Sequence, residues 1–276
     1  MAKVHDWVAY NARVRPETPA ATSVERGVTL TWGELERRVG RLSASLLQRY
    51  GLAPGDRVAL IAENDVRIFE LQFACMRAGL ILVPINWRLA LGEMVTLMRD
   101  AEPRLLISDD TWKTTADALA EAIPFEARLA WSDTPGTSEY DELIEAADCV
   151  LPGGMYDADT LTHILYTSGT TGLPKGALCS HRSLQAQALN LAHTSRMAER
   201  GNHHLNIVPM FHAGALNTYS NPTLYWGGQV TTVRRFDAAV ALRLLTDPEV
   251  GITHLCGVLQ MYEMITALPE FERATF

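Results

Sequence analysis

Several features that mark common functional classes are scarce or missing in this sequence. There are four cysteines, Cys75, Cys149, Cys179 and Cys256, and no C-x-x-C spacing. A disulfide framework is therefore not expected, and a reducing, cytoplasmic setting is predicted. Basic residues do not predominate: 24 Lys and Arg against 32 Asp and Glu give a net charge of −8. Such a chain lacks the basic face that nucleic acid requires. Long apolar runs are missing too. Leu80-Ile81-Leu82-Val83 is only strand-sized, so no transmembrane segment is predicted, and peripheral membrane contact is left open. The opening residues Met1 to Asp6 show no apolar stretch of the signal-peptide kind. Neither G-x-x-x-x-G-K-[ST] nor G-x-G-x-x-G occurs, which excludes a Walker A loop and a dinucleotide fingerprint. G-x-S-x-G is also absent, so Ser168 is a poor esterase nucleophile. No internal repeat or low-complexity tract is present.

What remains is an ordinary globular composition, with 47% hydrophobic and 20% charged residues in 276, enough for one or two domains. Thr31 and Glu34 form a capping box ahead of Leu35, Val39, Leu42 and Leu46, which recur at the spacing of an amphipathic helix. Strands are expected over residues 57–62, 80–83, 105–108, 205–208, 229–233 and 252–255. Helices are expected over 66–77, 92–100, 139–147, 182–197, 215–226 and 259–268, with Asp237 capping another that runs to 245. The stretch 135–159 reads as a connecting segment. Strands alternating with helices predict an α/β fold with a mostly parallel sheet covered on both faces.

Residues 166–177, YTSGTTGLPKGA, are the most informative stretch. Glycines let successive backbone N–H groups converge on an anion. The hydroxyls of Thr167, Ser168, Thr170 and Thr171 add donors, and Lys175 adds a compact cation. The loop lies between two strand-type runs, 162–166 and 176–179, and Ser180 is placed to cap the following helix. A plain surface turn would not need so long a string of this kind. The string suits a polyphosphate.

It also resembles the phosphate-binding signature of the adenylate-forming enzymes, which include acyl-CoA synthetases, luciferases and peptide-synthetase adenylation domains. Other segments resemble the family in the right order. They are Thr31-Trp32-Gly33-Glu34-Leu35, Gly55-Asp56-Arg57-Val58, Ala78-Gly79 through Asn86, Pro209-Met210-Phe211-His212-Ala213-Gly214 with Gly214 one position early, and Thr253-His254 through Tyr262 with Leu259 where Pro is usual. The resemblance implies two stacked α/β subdomains. It implies ATP and Mg²⁺, with coenzyme A as co-substrate, and a two-step reaction in which a carboxylic acid is adenylated and then passed to a thiol. Thr167, Ser168, Gly169, Thr170, Thr171, Gly172 and Lys175 would hold the ATP phosphates. One Thr hydroxyl, Thr167 as first choice, would touch the metal. Lys175 and His212 are the implied catalytic residues, and Phe211, His212, Gly214 and Asn217 would line the acyl pocket, with Tyr219 beside them. The PMFH segment and Gly227-Gly228 look more like fatty-acyl or aryl-acid ligases than peptide-synthetase relatives.

Such enzymes are about twice as long as this chain. Their Y-G-x-T-E segment, ribose-binding Asp, hinge and C-terminal domain with a catalytic Lys have no counterpart here. Residues 1–276 are therefore expected to be the N-terminal portion of an AMP-binding domain, incomplete at its C-terminal end and inactive alone. The alternative is a non-catalytic nucleotide- and acyl-binding module from a truncated gene. A homodimer is left open. Taken singly, His212 reads as a core histidine, and only its motif reverses that. His203 and His204 are adjacent, which does not suit a zinc site. His181 is expected at a helix start and His254 in a structural strand. Most carboxylates are expected at the solvated surface.

Overall fold

The computed structural model describes residues 2–134, 137–167 and 174–275. The chain begins with β1 (Lys3–His5), α1 (Trp7–Val14), β2 (Pro19–Ser23), β3 (Val28–Thr31) and α2 (Trp32–Arg49). It continues through β4 (Arg57–Ile61), α3 (Val66–Ala78), β5 (Ile81–Pro84), α4 (Leu91–Ala101), β6 (Leu105–Asp109), α5 (Lys113–Ala122), β7 (Ala127–Trp131) and α6 (Glu139–Glu145). Next come β8 (Met155–Asp157), β9 (Leu161–Thr167), β10 (Lys175–Ser180), α7 (His181–Thr194) and β11 (His203–Asn206). A π-helix (Gly214–Ser220), α8 (Asn221–Tyr225), β12 (Gln229–Thr232), α9 (Ala238–Thr246), β13 (His254–Cys256) and α10 (Leu259–Thr266) follow.

Two sheets dominate. One has the order β10-β9-β5-β4-β6-β7 and the other β13-β11-β12-β2-β3, while β1 and β8 form a separate antiparallel ribbon. Each large sheet is parallel except for one antiparallel edge strand, β10 in the first and β3 in the second. Parallel strands need cover on both faces, and the sequence supplies it by alternation. In β4, Val58 and Leu60 join the central core, whereas Ala59 and Ile61 face a second core with Met94 and Leu97 of α4 and Leu119 of α5. In the other sheet, Leu205 belongs to a third core with Leu242 and Leu244 of α9 and Ile265 of α10. The expected two stacked α/β layers are thus present, with α2 and α3 contributing to the core shared by both sheets.

The helix α3 explains how the sheets stay together. Its thirteen residues are all buried, including Arg67, Glu70, Gln72 and Arg77. A helix buried all round is normally apolar; here each charge has a partner. Arg77 Nε donates to Asp6 Oδ2 at 2.8 Å, and its Nη1 and Nη2 donate to the two Glu36 oxygens at 2.9 and 2.5 Å. Glu70 accepts from Arg38 at 2.6 and 3.1 Å, and Arg67 Nη1 donates to Asp133 at 3.2 Å. Gly79 ends the helix at φ 71°, a left-handed conformation that glycine adopts without strain.

The Thr31–Glu34 capping box and the Ser180 and Asp237 caps form as expected. Several boundaries differ, among them the strand expected at 252–255, which is His254–Cys256, and the helix expected at 259–268, which ends at Thr266; three further differences have a visible cause. The strand expected at 205–208 is β11, two residues earlier, because His203 and His204 are ladder residues: His203 is satisfied by the Val250 carbonyl at 2.9 Å and by Thr231 Oγ1 at 2.7 Å. The helix expected over 182–197 stops at Thr194, where Ser195 Oγ caps the Leu191 carbonyl at 2.7 Å. The helix expected over 215–226 is a π-helix turning into α8. Nor are all carboxylates solvated: Asp6, Glu63, Asp65, Glu70 and Asp109 are buried.

Candidate active site

The first limb of the site is the β9–β10 arm. Lys175 and Thr167 are Cα partners across the antiparallel pair, so they stand at the two mouths of the loop between them. Thr167 Oγ1 lies 3.5 Å from the Lys175 carbonyl, and both residues are exposed. Lys175 makes no ion pair among the described residues. Ser168, Gly169, Thr170, Thr171 and Gly172 lie outside the described residues. The arm is anchored from below. Tyr166 Oη donates to Asp100 of α4 at 2.5 Å, and Gly176 lies so close to Ile164 that an added Cβ would come within 2.7 Å of its Cγ2.

The second limb leaves the C-terminal end of β11. Asn64, in the turn after β4, fixes its course: its Nδ2 donates to the Val208 and Val233 carbonyls at 3.0 and 3.1 Å, and its Oδ1 accepts from the Met210 N–H at 2.8 Å. One amide thereby ties the strand ends of the first sheet to those of the second. Ligands of open parallel sheets bind outside such carboxyl ends. His212 is exposed rather than a core residue. Its backbone starts the π-helix by accepting from Ala215 and Leu216 at 3.1 and 3.2 Å. Phe211 meets Trp87 edge-to-face at 5.6 Å, with the Arg88 guanidinium 6.0 Å from the Phe211 ring centroid. A Cβ added to Gly214 would meet no atom within 4 Å.

Asn217 connects the limbs. It projects from the π-helix, and its Nδ2 lies 3.5 Å from Cys179 Sγ on β10, the strand that begins with Lys175. Its Oδ1 accepts from Asn221 at 3.1 Å, and Asn221 Oδ1 accepts from Gln72 of α3 at 2.7 Å. Thr167 with Lys175, and Phe211, His212 and Gly214 with Asn217, thus form two groups joined through Asn217. Tyr219 stacks on His204 at 5.4 Å.

Sequence reasoning passed over His163, Asn64, Gln72 and Asn221. His163 is fully buried, with Nδ1 3.1 Å from Thr162 Oγ1 and Nε2 without a partner among the described residues. Burial lowers its pKa to about 4, against a smaller opposing contribution from Asn217, so the imidazole is neutral. The one available signal was a histidine inside the otherwise strand-like run before the loop. Asn64, Gln72 and Asn221 belong to no motif and carry no charge, so their roles depend on tertiary contacts. Asp109 is raised to about 6, chiefly by burial, but its oxygens accept the Glu63 and Trp112 N–H groups at 2.8 and 3.0 Å, a structural arrangement. No group of three or more His, Cys, Asp or Glu able to hold a metal occurs among the described residues.

A two-sheet α/β scaffold thus carries a hydroxyl- and lysine-bearing arm on the edge pair β9–β10 of its first sheet. The chain belongs to the AMP-binding enzyme family, whose model matches residues 8–275. It is 35% identical over 271 residues to a feruloyl-CoA synthase of Amycolatopsis, covering 97% of this chain and 51% of that protein. It is 35% identical over 270 residues to the fatty acid–[acyl-carrier-protein] ligase ScoC of Streptomyces coeruleorubidus, covering 95% and 49%. Among solved structures, the ATP-bound MatB of Rhodopseudomonas palustris superposes with a TM-score of 0.81 at 28% identity, covering 96% of this chain and 52% of that one. The chain spans about half the length of the curated relatives it matches.

Proposed function

We propose that this chain is the N-terminal part of an ATP-dependent carboxylic acid–thiol ligase, forming an acyl-adenylate and then a thioester, with a fatty or aryl acid as substrate. The observation that carries the reading is the Thr167–Lys175 pair: an exposed hydroxyl and an ammonium without an ion pair among the described residues, in register at the mouths of a Gly/Ser/Thr loop. In this reading Lys175 and the loop hold the β- and γ-phosphates, where the negative charge of the displaced pyrophosphate must be stabilised. His212, exposed beside Phe211 and the open space at Gly214, contacts the acid, and Asn217 borders the acyl pocket.

Mg²⁺ fits this site only as an ion shared with the nucleotide. Thr167 offers a single neutral oxygen, and Mg²⁺ bound with nucleotides takes most of its ligands from phosphate and water. When bound it would neutralise phosphate charge. The thiol acceptor is proposed to be coenzyme A.

The first test is ATP binding by this polypeptide. Lys175→Ala is expected to weaken binding by about ten-fold, the loss of one charge-assisted contact. Unchanged affinity would count against the phosphate assignment. Pyrophosphate exchange by the full-length polypeptide with a panel of carboxylic acids then identifies the acid class.

A further inference from the structure

The structure has a second cleft, formed by none of the residues just discussed. It holds about 640 Å³ and lies between the end of β1, the C-terminal half of α1, the end of α8 and the turn after α7. This volume is in the range of small-molecule sites. Its walls combine rings and guanidinium groups: His5, Tyr10, Tyr225 and Trp226 with Arg15 and Arg200.

The rings form one connected group. His5 meets Tyr10 edge-to-face at 5.3 Å and Tyr225 at 5.8 Å, and Tyr225 meets Trp226 edge-to-face at 5.2 Å. None of these pairs is stacked face-to-face, and the Arg13 guanidinium lies 5.8 Å from the Tyr10 ring centroid, so the rings already accept edge and cation contacts of the kind a ligand would make. The cations have capacity to spare. Arg15 Nη1 donates to the Gly227 carbonyl at 3.0 Å, but Arg15 has no carboxylate partner among the described residues. Arg200 is exposed and makes no hydrogen bond or ion pair among the described residues. Among the described residues the one carboxylate lining the cleft, Glu199, is ion-paired with Arg196 at 2.7 Å. The result is a locally positive, aromatic recess on a chain whose net charge is −8.

The cleft is also firmly built. Asn11 donates to the Trp7 and Leu224 carbonyls at 2.9 and 3.2 Å, holding α1 against α8. Trp226 Nε1 donates to the Ala188 carbonyl at 3.0 Å, which fixes the indole. Gly227 has φ 75°, a left-handed conformation that favours glycine, and a Cβ there would crowd Asn11 Oδ1 at 2.5 Å.

We propose that this cleft binds a planar aromatic anion, a ring carrying a carboxylate or a phosphate, at a site separate from the ATP and acid site. The ring would pack among Tyr10, Tyr225 and Trp226, and the anion would meet Arg15 and Arg200.

Binding of 2-naphthoate and of AMP, measured by saturation-transfer NMR titration, tests this on the wild-type protein, a Tyr10→Ala/Arg200→Gln variant and a His212→Ala variant. Both substituted cleft residues are exposed, and circular dichroism checks that the fold is kept. The expected result is that at least one probe binds, about ten-fold more weakly to the cleft variant, and with unchanged affinity to His212→Ala. Naphthoate alone behaving so identifies an aryl carboxylate, and AMP alone a nucleotide. The proposal is overturned if neither probe binds at millimolar concentration, if the cleft variant binds as the wild type does, or if neutral 2-naphthalenemethanol binds as tightly as naphthoate. Because the cleft is probed by its own variant, loss of the ATP reading through Lys175 leaves this result intact.

Discussion

The helix α3 and the β9–β10 arm treat charge in opposite ways. Along α3, Arg67, Glu70 and Arg77 are buried and paired across to other elements. On β10, Lys175 is exposed without an ion pair among the described residues, and Leu178 beyond it is 63% exposed. Removing a charge from water costs several kcal/mol unless geometry and hydrogen bonds repay it. On α3 they do so by joining helices: Arg77 alone reaches the N-cap of α1 through Asp6, α2 through Glu36 and the Leu151 carbonyl. Charge there fixes positions. Charge on the arm stays hydrated and available to a ligand. In this chain a charged residue's role follows from what faces it, not from its type.

The largest effect is expected from Arg77→Met. It leaves Asp6, which is 7% exposed, and Glu36 without their cation, and removal of one partner of a buried pair costs about 3–5 kcal/mol. Urea titration is expected to show a loss of that order, with Arg77→Lys recovering part of it. A loss below 1 kcal/mol would mean that the network is solvated and that α3 is held by apolar packing alone.

How much of this was legible beforehand depends on whether the cause was local. The capping box and the stripe Leu35, Val39, Leu42 and Leu46 predict α2, and all four side chains are fully buried. The loop's flanking strands are equally plain, because two β-type runs and the Gly-rich interruption between them lie within one short stretch. α3 was legible as a helix but not as the wholly buried one, since its Arg and Glu residues read as a solvated face until Asp6, Glu36, Arg38 and Asp133 arrive from distant segments. β11, with the sequence HHLN, has no apolar alternation, and its two histidines become strand residues only because the Val250 and His254 carbonyls supply acceptors and the Thr231 hydroxyl a donor. The π-helix has the sequence pattern of an α-helix, because one extra residue per turn leaves the hydrophobic spacing nearly unchanged over so short a span.

Acid offers a second, smaller test of the buried side. Burial lowers the pKa values of His163 and His181 to about 4 and that of His204 to about 3, and it lowers His203 as well. An unfolded chain takes up these protons near the ordinary 6.5, whereas the folded one takes them up only at lower pH. Stability from these four groups is therefore complete above the unfolded value and is lost as the pH falls from 6.5 toward 4. Asp109, raised to about 6, and Glu36, also raised, act in the reverse sense, because the folded state protonates them first. Four histidines outweigh two carboxylates. Stability at pH 5 is expected to be lower than at pH 7.5 by more than about 1 kcal/mol, measured by urea titration at both. Equal stability would show that the buried imidazoles reach solvent when protonated.

The smallest effect is expected on the exposed side. Lys175→Ala removes a hydrated side chain from an edge strand and leaves its backbone pairing with Thr167 in place. Surface changes of this kind stay within about 0.5 kcal/mol, so its urea midpoint is expected to match the wild type even as ATP binding weakens. That pairing of outcomes separates a ligand-facing cation from a structural one. Arg77→Met should shift the midpoint strongly, and Lys175→Ala should shift the nucleotide titration alone. If Lys175→Ala instead lost more than 1 kcal/mol, the ammonium would be holding the arm together, and the division between position-fixing and ligand-facing charge would fail at the residue on which the proposed chemistry rests.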